Sequence, residues 1–377
     1  MYALSDVGQT REHNEDTFLV ANLEVGEAVP FERAPRELPV DPHGLLFLVA
    51  DGMGGAASGE LASKMAGDVV LETLRQHWRT EPTPAAERFA ESLRDATILA
   101  NGRIHGYARE NPEHRGMGTT ATIAGLMGDV LYVAQVGDSR AYLVRNGTAR
   151  QLTKDQSLMQ RLVEAGELTQ EQADASDRRN IILQALGPEA HVTIDLTHQQ
   201  VRRGDTLILC SDGLSGLVRA DEIARLAGES PDVMTLCHRL VDRANELGGP
   251  DNITVVAARF DGAVHDSRDG DEVGYNTFPL AGTLNDDTAE APLPPPPVRK
   301  PLKSDPTPRY GTPAPSPAAL EEEFARARAA EEAAAAALGA PEEVVEARRK
   351  KVEPLYFVLG LVAVVAAVWF LYRLLSA

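Results

Sequence analysis

The stretch Leu45-Leu46-Phe47-Leu48-Val49-Ala50-Asp51-Gly52-Met53-Gly54-Gly55 decides how the rest of the chain is read. Six apolar residues in a row have the length of a strand, and they stop on an Asp-Gly pair, a turn-forming dipeptide. Working outward, residues 17–23, 119–126, 130–136, 141–145, 206–210 and 253–260 are predicted strands of the same kind. Residues 60–78 and 85–109 are predicted helices. In the first, Leu61, Met65, Val69 and Leu74, with Val70 and Leu71, form an apolar stripe of helical period. Strands come before, between and after the helices without regular alternation. That order predicts an α+β layered domain with largely antiparallel sheets, not a doubly wound parallel one. Residues 24–44 are broken by prolines and read as a surface excursion between two strands.

Aspartates punctuate these runs. Three runs finish at one (Asp51, Asp138, Asp212), and two begin just after one (Asp16, Asp251). In antiparallel pairs the end of one strand lies beside the start of the next, so all five can meet at one edge. Taken singly, an Asp-Gly pair is a turn. Gathered together, five like charges require protons or cations to compensate them. Oxygen donors without His or Cys favour magnesium or manganese over zinc. A pair of such ions is a recurring device for phosphate ester hydrolysis.

The charge balance bears on partners. The 377-residue chain carries 56 acidic and 37 basic residues, a formal charge of -19. Such a surface repels phosphate backbones, which argues against a nucleic-acid partner. Cys210 and Cys237 have no metal-ligand spacing and read as buried small hydrophobes; two cysteines make no disulfide framework and point to a reducing compartment. The N-terminal residues lack the basic and apolar regions of a signal peptide.

Three further zones are expected after residue 260. Residues 261–317 are polar and proline-rich around Pro294-Pro295-Pro296-Pro297 and read as an extended linker. Residues 318–353 are dense in Ala, Glu and Arg and read as a helical stalk without a coiled-coil heptad. Within 354–375, the run 355–372 is uncharged for 18 residues and carries Tyr356, Phe357, Trp369 and Tyr372 near its ends, as a transmembrane helix does. Arg348-Arg349-Lys350-Lys351 precedes that span and only Arg373 follows it, which predicts the large N-terminal part on the cytoplasmic side.

Six short motifs stand in order: Arg11-Glu12-His13-Asn14-Glu15-Asp16, Asp51-Gly52-Met53-Gly54-Gly55, Gly116-Met117-Gly118-Thr119-Thr120, Gly137-Asp138-Ser139-Arg140, Ser211-Asp212-Gly213 and Asp251-Asn252. Over residues 1–260 the chain resembles the type-2C (PPM) metal-dependent protein serine/threonine phosphatases, their bacterial branch in particular. The resemblance implies a four-layer α-β-β-α sandwich and hydrolysis of phosphoserine and phosphothreonine in proteins, by a water bridging two divalent ions and without a phosphoenzyme. By position, Asp16, Asp51, the Gly52 carbonyl, Asp212 and Asp251 resemble the ligands of two Mn²⁺ or Mg²⁺ ions, and Asp138 with Asp212 those of a third. Arg11 matches the arginine that grips the substrate phosphate, and residues 154–187, with Asn180 and Leu186-Gly187, resemble the flap beside the site. Where some relatives place histidines, this chain has Met53 and Ala56, so the general acid is left between His13 and water. Ser215 stands where some relatives carry another carboxylate. The expected partners are phosphorylated proteins, with a membrane-associated Ser/Thr kinase as the opposing enzyme, and the catalytic domain is expected to be monomeric. The alternative is a membrane-tethered pseudophosphatase that only binds phosphoproteins. Loss of Asp16, Asp51, Asp212 or Asp251 would have favoured it, and all are present.

Overall fold

A computed structural model describes residues 1–261, apart from 32–33, 79–84, 175, 177 and 179, and again 272–279. The expected stalk and membrane span, and most of the expected linker, lie outside the described residues. Among the described residues, no helix is long and apolar enough to cross a membrane.

The chain opens with β1 (Tyr2–Asp6), β2 (Asp16–Asn22), the short β3 (Glu27–Ala28) and β4 (Leu45–Met53). Two long helices follow, α1 (Ala56–Trp78) and α2 (Ala86–Glu110). Next come β5 (Gly118–Thr119), β6 (Ala121–Met127), β7 (Val130–Val136), β8 (Arg140–Arg145) and β9 (Thr148–Gln151). The helices α3 (Leu158–Glu164) and α4 (Gln170–Asp174) lead to β10 (Asp195–Gln200) and β11 (Thr206–Cys210). A one-turn α5 (Asp212–Ser215), then α6 (Ala220–Glu229), α7 (Val233–Glu246) and β12 (Ile253–Arg259) complete the elements.

The strands form two sheets, one in the order β1-β12-β11-β8-β9 and the other β10-β7-β6-β4-β2-β3, with β5 pairing on β4. Neighbouring strands run antiparallel, as the sequence predicts. The unbroken apolar run at the head of β4 now has its reason. Side chains alternate across a strand, and both faces of β4 are covered. Leu46, Leu48 and Ala50 pack under α1 and α2 against Ala62, Val70, Leu74, Leu93 and Ile104. Leu45, Phe47 and Val49 face the other sheet and meet Leu143, Leu207, Leu209 and Val256. On that sheet's outer side, Ile208, Cys210, Val255 and Ala257 pack against Ile223, Leu226, Leu236, Leu240 and Val241 of α6 and α7. Helix, sheet, sheet and helix therefore stack around three apolar cores. Cys210 and Cys237 are buried in the last of these, and burial pushes both thiols up to about 12.

The expected strand 119–126 is broken at Thr120, whose backbone N–H donates to the Asp51 carbonyl. Strands β1, β9 and β10 and helix α6 have no counterpart among the sequence-based predictions, being short or half polar. The excursion 24–44 is largely exposed, but Phe31 meets the Tyr2 ring edge-on at 5.9 Å and anchors it. Residues 272–279, inside the expected linker, lie along β10 with a Thr197–Thr277 bridge.

Gly125 on β6 shares the helix-facing side with Ile123, and a Cβ there would overlap the Phe89 ring of α2. Gly125→Ala should lower stability by about 1–3 kcal/mol in urea unfolding, the usual cost of overpacking. It should leave the turnover of the folded fraction unchanged.

Candidate active site

Five aspartates reach one rim of the sandwich by five different routes. Asp16 starts β2 and is the cross-strand partner of Asp51 on β4. Asp138 sits in the bend between β7 and β8, Asp212 opens α5 directly after β11, and Asp251 precedes β12. Strands β11 and β12 pair from Cys210↔Val255 onward, which sets the residues flanking them side by side. The structure thus brings together all the carboxylates that the sequence nominated.

Their electrostatics is that of crowded like charges. Burial is the main cause and the neighbouring carboxylates the next. Together they raise Asp16 to about 7 and Asp138 to about 8. Asp51 is held well above the ordinary range by burial and then by Asp16, Asp212, Asp138 and Asp251. Asp212 is raised by burial and by Asp251. The hydroxyls of Ser211 and Thr254 lie near Asp16 and moderate its shift, but none reaches hydrogen-bonding geometry with it. Both Asp16 carboxyl oxygens and Asp212 Oδ1 are buried without a hydrogen-bond partner. Buried polar atoms are normally satisfied, so these oxygens point to a missing electrophile.

The scaffold holding the carboxylates is uncharged. The Asp51 backbone N–H donates to Thr120 Oγ1 at 2.9 Å, and Thr119 Oγ1 and the Thr120 N–H each donate to its carbonyl at 2.9 Å. Thr120 Oγ1 and Ser139 Oγ lie 2.8 Å apart, and Gln135 Nε2 donates to the Ser139 and Gly137 carbonyls at 2.8 and 3.1 Å. Asn252 fastens the loop of the first motif to the start of β12. Its Nδ2 donates to the Val7 and His13 carbonyls at 3.0 and 2.9 Å, and its Oδ1 accepts from the Glu15 N–H at 2.8 Å. Gly52 is pressed between Gly59 and Glu15, where a side chain would overlap both backbones. The motifs containing Thr119, Thr120 and Asn252 are visible in the sequence. Their clamping roles are not, because each partner lies tens to hundreds of residues away.

Arg11 is half exposed and donates from Nη2 to Asp251 Oδ2 at 2.7 Å. It lines a cleft of about 740 Å³ together with Asp138, Asp212, Asp251, Ser215 and Asn180. Arg140, also at this cleft, is locked by Asp155 through Nε and Nη2, at 2.6 Å for the shortest contact. Sequence reasoning quoted Arg140 within a motif without a role and did not single out Asp155. His13 is exposed, and its backbone carbonyl is the group that Asn252 holds. Among the described residues no three carboxylate, imidazole or thiolate groups close on one point as a single-ion cage. Ligands that serve two ions, with a backbone carbonyl and waters completing each shell, need not converge in that way.

A family profile described as Protein phosphatase 2C matches residues 38–247. The chain belongs to the protein phosphatase 2C family. It is 36% identical over 253 residues to a serine/threonine phosphatase stp of Listeria welshimeri, covering 67% of this chain and 92% of that one. It is 38% identical over 268 residues to the serine/threonine protein phosphatase PstP of Mycobacterium tuberculosis, covering 70% of this chain and 48% of that protein. The crystal structure of a PstP catalytic domain in complex with two manganese ions superposes with a TM-score of 0.55 at 34% identity, over 68% of this chain and 96% of that one. The protein is a metal-dependent protein serine/threonine phosphatase.

The raised carboxyl groups make the phosphatase's stability depend on pH. Folding favours their protonated forms, so this contribution is complete below the ordinary carboxylate range. It is lost as pH rises through about 7 to 8, the values for Asp16 and Asp138. Without divalent ions, the melting temperature should fall between pH 5 and 8, and Asp138→Asn should flatten that slope. Manganese should raise the melting temperature most at pH 8. A flat profile in calorimetry would contradict the crowded-carboxylate account.

Proposed function

We propose that Asp16, Asp51, the Gly52 carbonyl, Asp212 and Asp251 hold two Mn²⁺ or Mg²⁺ ions in this phosphatase, with Asp138 and Asp212 serving a third, looser one. The observation that carries this reading is the set of partnerless buried oxygens on Asp16 and Asp212, placed among other carboxylates. Oxygen donors of this charge suit hard divalent cations. When bound, the ions would supply Lewis acidity, lowering the pKa of a water between them and neutralising the phosphoryl oxygens.

The chain's own residues do the rest. Arg11 stands at the cleft rim with a planar, two-pronged donor group suited to a phosphate dianion. Its bond to Asp251 holds the guanidinium at the carboxylate cluster, so substrate phosphate and carboxylates share one cation. Asn252 keeps the Arg11 loop at a set distance from Asp251 by tying Val7, His13 and Glu15 to the head of β12. Phosphate release from a phosphothreonine peptide should vanish in EDTA and return with manganese. Asp212→Asn should reduce it by more than about tenfold while leaving the circular dichroism spectrum unchanged. Full turnover in rigorously demetallated enzyme would overturn the assignment.

Residues 1–260 form the catalytic domain in this reading, and residues 261–317, 318–353 and 354–375 act as linker, stalk and membrane span. The uncharged run with its aromatic ends and the four preceding basic residues support a cytoplasmic catalytic domain. A tether of this kind raises the local concentration of the phosphatase near membrane-associated kinases and their substrates. Full-length protein should sediment with membranes, and protease added to spheroplasts should leave the catalytic domain intact. Digestion from outside would reverse the topology.

A further inference from the structure

The outer edge of β10 is covered by chain that comes from beyond β12. The Phe278 N–H donates to the Leu196 carbonyl at 2.8 Å and the His198 N–H to the Asn276 carbonyl at 2.9 Å, on either side of the antiparallel Thr197–Thr277 bridge. Gln199 Oε1 accepts from Asn276 Nδ2 at 3.2 Å and from the Gly274 N–H at 3.3 Å. Beneath, Phe278 meets the rings of Tyr132 and His198 edge-on, each at 5.4 Å, and adds to the core under the helices. This is strand addition to a sheet edge, with a side-chain anchor.

Tyr275 extends that strap toward the cleft. Lys154 Nζ sits 4.8 Å from the centroid of its ring and also pairs with Glu164 Oε1 of α3 at 3.1 Å. The two residues after Lys154 reach the site from the other side. Asp155 locks Arg140, and Gln156 makes two hydrogen bonds to Gly137, beside Asp138, at 2.8 and 3.0 Å. Ser157, Met159 and Gln160, at the start of α3, line the cleft. Lys154 is thus the point where strap, cleft wall and Asp138 bend meet. An exposed Lys–Glu pair by itself fixes little, and an aromatic face against the same ammonium is a second restraint.

We propose that Tyr275 is a positioning residue for dephosphorylation. The docked strap holds Lys154, and Lys154 with Glu164 sets α3, the wall that a phosphorylated polypeptide meets as it enters the cleft. This rests on the cleft being the substrate site. The strap lies in the region expected to be a plain linker, so the tether would adjust the catalytic domain as well as place it.

The test is steady-state kinetics of the full-length, manganese-loaded phosphatase on a phosphothreonine peptide and on p-nitrophenyl phosphate, which has no polypeptide to lie along α3. Tyr275→Ala and Lys154→Ala should each raise the peptide KM by about three- to fivefold, the size of an exposed cation–π contact. Their kcat values and their KM for p-nitrophenyl phosphate should stay within about twofold of wild type. The double variant should be no worse than Lys154→Ala alone, because Tyr275 acts through that lysine. Tyr275→Phe, which keeps the ring over Lys154 and loses only the hydroxyl facing Asp195, should raise the peptide KM less than Tyr275→Ala does, and Phe278→Ala, which removes the anchor, should copy Tyr275→Ala. A Tyr275→Ala enzyme with wild-type peptide KM, whether or not its melting temperature changes, would overturn the inference, as would additive effects in the double variant. A wild type inactive on both substrates would overturn the catalytic reading and this inference with it. An active wild type with insensitive variants overturns this inference only.

Discussion

The burial of carboxylates beside one another at one rim is the constraint on which the rest of the phosphatase depends. Burial first, and neighbouring charges after it, raise the pKa of Asp16, Asp51, Asp138 and Asp212 and oppose folding with these groups ionised unless something positive joins them. The fold meets this with strands that pair strongly through apolar side chains on both faces. The carboxylates sit at or just beyond the ends of the apolar runs in those strands, so the core secures their position without burying them completely. In the proposed assignment cation binding and stability are therefore linked, because the groups that weaken the ion-free protein are the ones that would hold the ions.

What steadies the carboxylates is neutral. Thr119, Thr120, Gln135 and Asn252 bond backbone groups beside the aspartates, Ser139 bonds Thr120, and both Asp16 oxygens and Asp212 Oδ1 are left open. A charged scaffold would compete with the ions for those oxygens. Of the arginines that line the cleft, Arg11 and Arg140 differ in kind. Arg140 is partly buried and bonded by Asp155 and Tyr142, so it is part of the wall. Arg11 is half exposed, on a loop that Asn252 positions, and bonds Asp251 at the edge of the carboxylate cluster.

The two sides of the cleft are built differently. One is the rigid end of the sandwich. The other includes α3, held by the Ser157–Ile182 bridge and by the ion pair at Lys154. The strap on β10 brings the Tyr275 ring to the same lysine.

Much of this was legible in the chain itself. Residues 45–50 are apolar without alternation because β4 is covered on both faces, and the run reads as a strand from the sequence alone. The aspartates at strand ends and the oxygen-only donor set are local facts that point to hard divalent ions, and the ordered motifs, through their resemblance to a family, supplied the activity and the candidate residues. The tertiary structure decided what depends on closure over long distances. That Arg11 reaches Asp251, that Asn252 holds the first loop, and that Thr120 clamps Asp51 follow from strand order and register, which local periodicity does not encode. The strap was hidden for the same reason. Residues 272–279 have a loop's composition, and their strand character comes from the open edge of β10 and the pocket beside Tyr132, neither of which exists until the sheet has formed.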